Sequence, residues 1–283
     1  MNIKTVGIVG AGIMGSGIAQ VCALNGFSVV LLDVSLDNVQ KGLASIGQSC
    51  DRLIAKGKLG EAERDAACAR ISASTSYVDL ADVDLVIEAA TENEAVKLDI
   101  LATIGKVVRP DAIVASNTSS ISITKLATAV ARPERFLGMH FFNPVPLMTL
   151  VELIRGLQTA QPTLDIVRGF VEALQKVAIV ARNSPGFLVN RILCPMINEA
   201  VFALQDGLAS AEEIDTGVRL GCNHPIGPLA LADLIGIDTL LAVMEVFHEG
   251  FGDPKYRPAP LLREMVDAGY LGRKTGRGFF TYA

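Results

Sequence analysis

A histidine and a glutamate stand six residues either side of Pro146. His140 closes the apolar run Phe136-Leu137-Gly138-Met139-His140-Phe141. Asn143-Pro144-Val145-Pro146 then breaks the chain, and Glu152 lies inside Thr149-Leu150-Val151-Glu152-Leu153-Ile154. An imidazole, with an unperturbed pKa of about 6.5, can take up and return a proton near neutral pH. A carboxylate in a run that otherwise asks for burial needs a partner. If the chain doubles back at Pro146, the two side chains meet. Glu152 would then fix the imidazole tautomer and stabilise the imidazolium formed on proton uptake. The same spacing fits a structural ion pair or a glutamate facing solvent, and these readings stay open here. The three histidines lack metal-ligand spacing, so no metal is expected. His224, before Pro225, reads as a turn or packing residue and His248 as a helix-surface one.

Two further groups carry polar atoms where apolar ones would suffice. Ser116-Asn117-Thr118-Ser119-Ser120 follows the strand-like run Ala112-Ile113-Val114-Ala115. A helix cap needs one such residue, and Ser120 or Ser122 could serve; the remainder form a dense donor and acceptor cluster. Asn190 shares a helical face with Leu193, Ile197 and Val201. An amide on an apolar stripe is either hydrogen-bonded internally or faces a ligand.

The elements that would position these groups begin with a glycine-rich turn. Thr5-Val6-Gly7-Ile8-Val9 reads as a buried strand, Gly10-Ala11-Gly12-Ile13-Met14-Gly15 as G-x-G-x-x-G, and Ser16 to Leu24 as a helix. In that order Gly10 makes the tight turn, Gly12 admits a pyrophosphate to the backbone, and Gly15 lets helix and strand pack closely. The helix start offers N–H groups and a positive dipole end to phosphate. A second strand, Phe27 to Leu32, ends in Asp33, about twenty residues on, where a carboxylate can accept from a ribose 2′-hydroxyl. Asp33 would repel a 2′-phosphate, and Val34 and Ser35 supply no arginine, so NAD is favoured over NADP.

Strand and helix patterns alternate to about residue 183, with a helical stretch after Asp33 reaching about Ala69. Strands are expected at 84–89, 112–116, 136–141, 150–154 and 177–181, short and rich in branched residues. That is an α/β fold, a Rossmann-like, doubly wound, mostly parallel sheet. At Ser184-Pro185-Gly186 the pattern turns helical, with Ser184 as cap and Pro185 in the first turn. Breaks fall at Gly207, at Asn223-His224-Pro225 and from Pro254 to Pro260. The expected domains are 1–184, binding NAD, and 185–283, all-helical.

Length and composition bound the rest. A chain of 283 residues suits about two domains, and with 50% hydrophobic residues it can build a large core. Charged residues interrupt every apolar run before the roughly 18 residues of a membrane span. Met1 to Lys4 passes directly into the first strand, so no cleavable leader is expected. Five scattered cysteines without a C-x-x-C pattern suit reduced thiols in a cytoplasm. A net charge of −5 gives no general attraction to nucleic acid.

Taken together, these residues place the chain close to a known family. It resembles the short-chain L-3-hydroxyacyl-CoA dehydrogenases, in particular bacterial 3-hydroxybutyryl-CoA dehydrogenases, over essentially its whole length. The resemblance rests on Gly-Ala-Gly-Ile-Met-Gly at 10–15, Ser-Asn-Thr-Ser-Ser at 116–120, and His-Phe-Phe-Asn-Pro at 140–144. Pro-Gly-Phe-Leu-Val-Asn-Arg at 185–191 and Gly-Arg-Lys-Thr-Gly-Arg-Gly-Phe-Phe at 272–280 extend it. It implies His140 as catalytic base, Glu152 as its orienting carboxylate, and Ser119 and Asn190 as contacts to the 3-oxygen and thioester end of the substrate. It further implies Glu92, Lys97, Asn117 and Asn143 beside NAD, and Lys56 as a basic contact to the CoA phosphates. The helical domain would mediate a homodimer. A sugar-acid dehydrogenase on the same scaffold, or a non-catalytic NAD-binding protein, are the rival readings.

Overall fold

Short, branched, apolar runs assemble one eight-stranded sheet. The computed structural model describes residues 3–282. The chain divides between Asn183 and Ser184 into two units. The first contains β1 (Thr5–Val9), α1 (Ile13–Leu24), β2 (Ser28–Leu32), α2 (Leu36–Ala55), α3 (Glu61–Ala69), β3 (Ile71–Ser74) and β4 (Leu85–Glu88). It continues with α4 (Glu94–Val107), β5 (Ile113–Ser116), α5 (Ile123–Leu126), β6 (Phe136–Phe141), β7 (Leu150–Arg155), α6 (Gln161–Ala173) and β8 (Val177–Arg182). The strands lie in the order β3-β2-β1-β4-β5-β6-β7-β8; the first six pair in parallel, β7 runs antiparallel to β6, and β8 runs parallel to β7. The order reverses between β1 and β4, opening a crevice at the carboxyl ends of the strands, where open α/β sheets bind ligands.

The core explains why α1 is apolar all round. It packs on β1 and β2 and is covered by α2 and α3, so Ile18, Ala19, Cys22 and Ala23 are fully buried and even Gln20 is 2% exposed. The central strands are buried on both faces, as continuous apolar runs require.

Two expectations need correction. The helical stretch after Asp33 is two helices, because Gly57 takes a left-handed φ of +66° and ends α2 in a turn. The strand β3 that follows carries a single branched apolar residue in Ile-Ser-Ala-Ser, so its composition hid an edge strand held by parallel pairing to β2. Beyond residue 183, Ser184 and Pro185 do not start a helix. Gly186 and Phe187 both have positive φ, and a Cβ on Gly186 would come within 2.1 Å of the Phe247 ring. The helix begins only at Val189.

The second unit is helical: α7 (Val189–Gln205), α8 (Ala211–Gly221), α9 (Pro228–Ile235), α10 (Ile237–Phe251) and α11 (Pro260–Asp267). Ile197, Val201, Leu229, Leu240, Met244, Phe247 and Leu262 form its centre. Two buried aspartates tie it together. Asp215 accepts from Leu229 N and Ala230 N at the start of α9, and Asp233 accepts from Phe279 N, Phe280 N and Tyr282 Oη near the chain end. Among the described residues, no helix is long and apolar enough to cross a membrane.

Candidate active site

The glycine turn joins β1 to α1 at the crevice. Gly10 has φ +104°, and a Cβ there would lie 2.6 Å from Ala89 O. A Cβ on Gly15 would lie 1.8 Å from Gly10 O, so helix and turn touch backbone to backbone. Gly12 is different: a Cβ there meets nothing within 4 Å. Its bare backbone faces open space beside the first turn of α1, which has no side-chain cap. This is the concavity a pyrophosphate needs. Ile13 is 77% exposed just beyond it, and Met14 packs back on the core.

From Gly10 and Gly12 a groove of about 530 Å³ runs past Asp33, Asn38, Tyr77, Thr91 and Ile100. Asp33 is held in a set orientation. Its Oδ2 accepts from Ala11 N at 2.7 Å, and its Oδ1 from Val34 N at 2.8 Å and Asn38 Nδ2 at 2.7 Å. A groove with a phosphate cradle at one end and an oriented carboxylate on its wall fits an adenine dinucleotide. Burial, then the charges of Glu88 and Asp33, push the Tyr77 phenol up, so it stays protonated at neutral pH. Lys41, paired with Asp37 at 2.6 Å, also borders the groove.

Behind the groove lies a buried charge cluster. Lys97 Nζ donates to Glu88 Oε2 at 2.7 Å, Ser116 Oγ donates to the same oxygen at 2.7 Å, and Ala90 N donates to Oε1 at 2.9 Å. Lys97 is 1% and Glu88 0% exposed. Lys97 Nζ also lies 3.9 Å from Glu92 Oε2, so its charge is felt there. Glu92 accepts from Thr118 Oγ1 at 2.8 Å, Ser119 N at 2.8 Å and Ser119 Oγ at 3.1 Å. It thereby ties the turn after β4 to the hydroxyl cluster after β5. Asn117 completes the link, its Oδ1 accepting from Phe141 N at 2.9 Å.

That bond leads to the next strand end. β6 and β7 form the hairpin anticipated around Pro146, with His140 and Glu152 as direct cross-strand partners. His140 Nδ1 and Glu152 Oε2 are 2.7 Å apart, with His140 6% and Glu152 0% exposed. The carboxylate accepts from Nδ1–H, which places the lone pair of the neutral imidazole on Nε2. The Phe142 ring packs against the imidazole with centroids 4.5 Å apart. His140, Asn117 and Ser119 therefore sit at the same carboxyl edge of the sheet as the glycine turn.

The segment after β6 forms a small recess of about 180 Å³ with α1 and α2. Asn143 lines it, with Ile13 and Gly17 from α1 and Ser49 and Arg52 from α2. Arg52 was missed in the sequence. It stands one helical turn before Lys56, an i,i+4 pair on one face that a search for paired cations would have found. Lys56 itself is exposed at the carboxyl cap of α2. Glu88, Asn38 and Tyr77 were also missed; each looks ordinary until the fold brings it to the crevice. Asn190, in the second unit, is half-buried in the first turn of α7, one turn before the buried Cys194 and two before the buried Ile197.

The fold and the glycine-turn site define an NAD-binding oxidoreductase, and comparison with known proteins resolves the family. Residues 5–184 match the NAD binding domain of 3-hydroxyacyl-CoA dehydrogenase, and residues 186–282 match its C-terminal domain. The chain belongs to the 3-hydroxyacyl-CoA dehydrogenase family. It is 54% identical over 280 residues to 3-hydroxybutyryl-CoA dehydrogenase of Bradyrhizobium diazoefficiens, covering 99% of this chain and 96% of the relative. It is 40% identical to the human mitochondrial hydroxyacyl-coenzyme A dehydrogenase, covering 99% of this chain and 91% of that protein. The crystal structure of (S)-3-hydroxybutyryl-CoA dehydrogenase from Ralstonia eutropha matches it with a TM-score of 0.97 and 63% identity, covering all of both chains.

Proposed function

We propose that this chain interconverts (S)-3-hydroxybutyryl-CoA and acetoacetyl-CoA with NAD, using His140 and Glu152 as its acid–base pair. The observation that carries this reading is the buried hydrogen bond between His140 and Glu152 at the strand edge that also bears the glycine turn. Bound NAD supplies the two-electron acceptor for C3 of the substrate. Gly10, Gly12, Ile13, Met14 and Gly15 would hold its pyrophosphate, and Asp33 its adenosine ribose, with Glu92, Asn117 and Asn143 nearer the reactive end; Lys97, expected beside NAD, is buried behind the groove and would act there through Glu88 and Glu92.

His140 Nε2 takes the proton of the 3-hydroxyl in oxidation and returns it to the 3-oxygen in reduction. Glu152 keeps Nδ1 protonated and stabilises the imidazolium that results. Ser119 is assigned to the 3-oxygen on the family resemblance, and Glu92, which accepts the hydrogen bond donated by the Ser119 hydroxyl, sets where Ser119 Oγ lies. Asn190 is assigned to the thioester end on the family resemblance. Arg52 and Lys56 form the basic pair for the CoA phosphates. Preorganised polarity and positioning supply most of the rate gain.

Mixing the protein with NADH and acetoacetyl-CoA should consume NADH, read by its absorbance. No consumption at any protein concentration tested would sink the reading. A homodimer through the second unit is proposed on the family resemblance; light scattering at the monomer mass would refute it. The five free cysteines suit a reducing cytoplasm.

A further inference from the structure

Lys176 is a buried cation with no role in the chemistry above. It sits just before β8, is 8% exposed, and donates from Nζ to Val145 O at 2.8 Å and to Met148 O at 2.6 Å. Its partners are backbone carbonyls of the segment joining β6 to β7. The nearby Cys22 thiol, pushed up to about 12 by burial, is neutral and adds no charge. Burial pushes the Lys176 ammonium below the usual lysine value, so keeping it there costs free energy. An apolar side chain of similar length would avoid that cost, but would leave two carbonyls outside any strand ladder without a donor.

The segment it holds matters for its position. Within it, Leu147 N and Met148 N both donate to Pro144 O at 3.0 Å, making a compact turn. Val145 is 2% exposed and seated on α1 at Gly17, where an added Cβ would come within 2.9 Å of it. The turn therefore rests on the helix that follows the glycine motif, and Asn143 to Pro146 form one wall of the recess beside Ile13 and Arg52. On its other flank, Pro146 to Thr149 border an open cleft of about 750 Å³, so packing does not hold the turn from that side.

We propose that Lys176 is a positioning residue: by holding the carbonyls of Val145 and Met148 it clamps the β6–β7 turn onto α1 and so sets residues 144–146, the part of the wall beyond the NAD-side Asn143, against which the acyl-CoA substrate lies. The assignment of that wall to substrate rests on the function proposed above. Losing the clamp lets the turn lift into the open cleft and spoils the recess, while the groove past Asp33 keeps its shape.

The test compares Lys176→Met, which keeps length and loses charge, with Lys176→Arg, which keeps the charge. Amide exchange over residues 144–149 should rise about tenfold in the Met variant with Gly10–Gly15 unchanged, since two anchoring hydrogen bonds are gone. Its kcat/KM for acetoacetyl-CoA should fall about tenfold with NADH affinity, read by fluorescence titration, within about twofold. Arg should restore most of both. Unchanged exchange and kcat/KM in the Met variant would overturn the proposal. So would exchange that rises throughout the first unit with NADH affinity lost in proportion, which marks a general support. Should the Met variant fail to fold, Gly17→Ala displaces Val145 from the other side with Lys176 intact. The same selective loss is expected there, and an equal loss of NADH affinity counts against the clamp. The exchange measurement needs no turnover, so a wild-type enzyme silent with acetoacetyl-CoA would strike the proposed function and leave this result readable.

Discussion

Two acid–base pairs stand at the carboxyl edge of the same sheet, and they are built alike. Lys97 and Glu88 are 2.7 Å apart, as are His140 and Glu152. Both glutamates are 0% exposed. Both carboxylates end or interrupt apolar strands, β4 and β7. The difference is the cation. An ammonium paired with a carboxylate keeps its proton through the physiological range, whereas an imidazole exchanges one. The first pair is closed in by Ser116 and the Ala90 amide and can only hold charge in place. The second can pass a proton to whatever its ring reaches. On the function proposed above, equal geometry serves architecture in one case and chemistry in the other, and the proton affinity of one side chain makes the difference.

Substitutions at the two pairs should separate these roles. The largest effect is expected at His140. His140→Gln should lower kcat about 10³-fold, within the range typical of a general acid–base group, with NADH affinity within about twofold. Turnover near wild type would remove His140 from its role.

Lys97→Met should act on stability first. Breaking a buried pair by removing one partner leaves an uncompensated carboxylate, costing about 3 kcal/mol or more and lowering Tm by about 10 °C for a domain of this size. The double variant Lys97→Met with Glu88→Gln should recover part of that. Calorimetry showing an unchanged Tm in the single variant would undo the contrast between the two pairs.

Glu152→Gln should lower kcat about 10²-fold through a disordered imidazole tautomer, and it should alter the pH–rate profile. If kcat and profile both survive, the second pair is as structural as the first.

The smallest effect concerns Asp33, which lies outside both pairs. Wild type should prefer NADH to NADPH, and Asp33→Ala should shrink that preference about tenfold or more by removing a carboxylate that repels a 2′-phosphate. Equal kcat/KM for the two cofactors in wild type would show that Asp33 does not face the ribose.

Local order made part of this legible without coordinates. The strand, glycine turn and helix at 5–24 and the acid at 33 could be read directly, because the turn needs glycines at set positions and the strands need branched apolar runs. The β6–β7 hairpin was legible from a glutamate in an apolar run and a proline-rich break midway to His140. What composition could not reveal was chosen by packing. β3 is a strand because β2 offers it an edge, not because Ile-Ser-Ala-Ser prefers one. The delayed start of α7 follows from Phe247 lying against Gly186.

The same division runs through the site. Residue types and spacing nominated His140, Glu152, Asp33 and the hydroxyl cluster at 116–120, because each is chemically conspicuous where it stands; the family resemblance picked Ser119 out of that cluster. Only the tertiary structure paired Glu88 with Lys97, aimed Ser119 at Glu92, turned Asn38 onto Asp33 and buried Lys176 under the turn. These partners lie 5 to 31 positions apart in the chain and on different elements. A hydrogen bond depends on where two atoms lie in space, and no local preference in the chain records that.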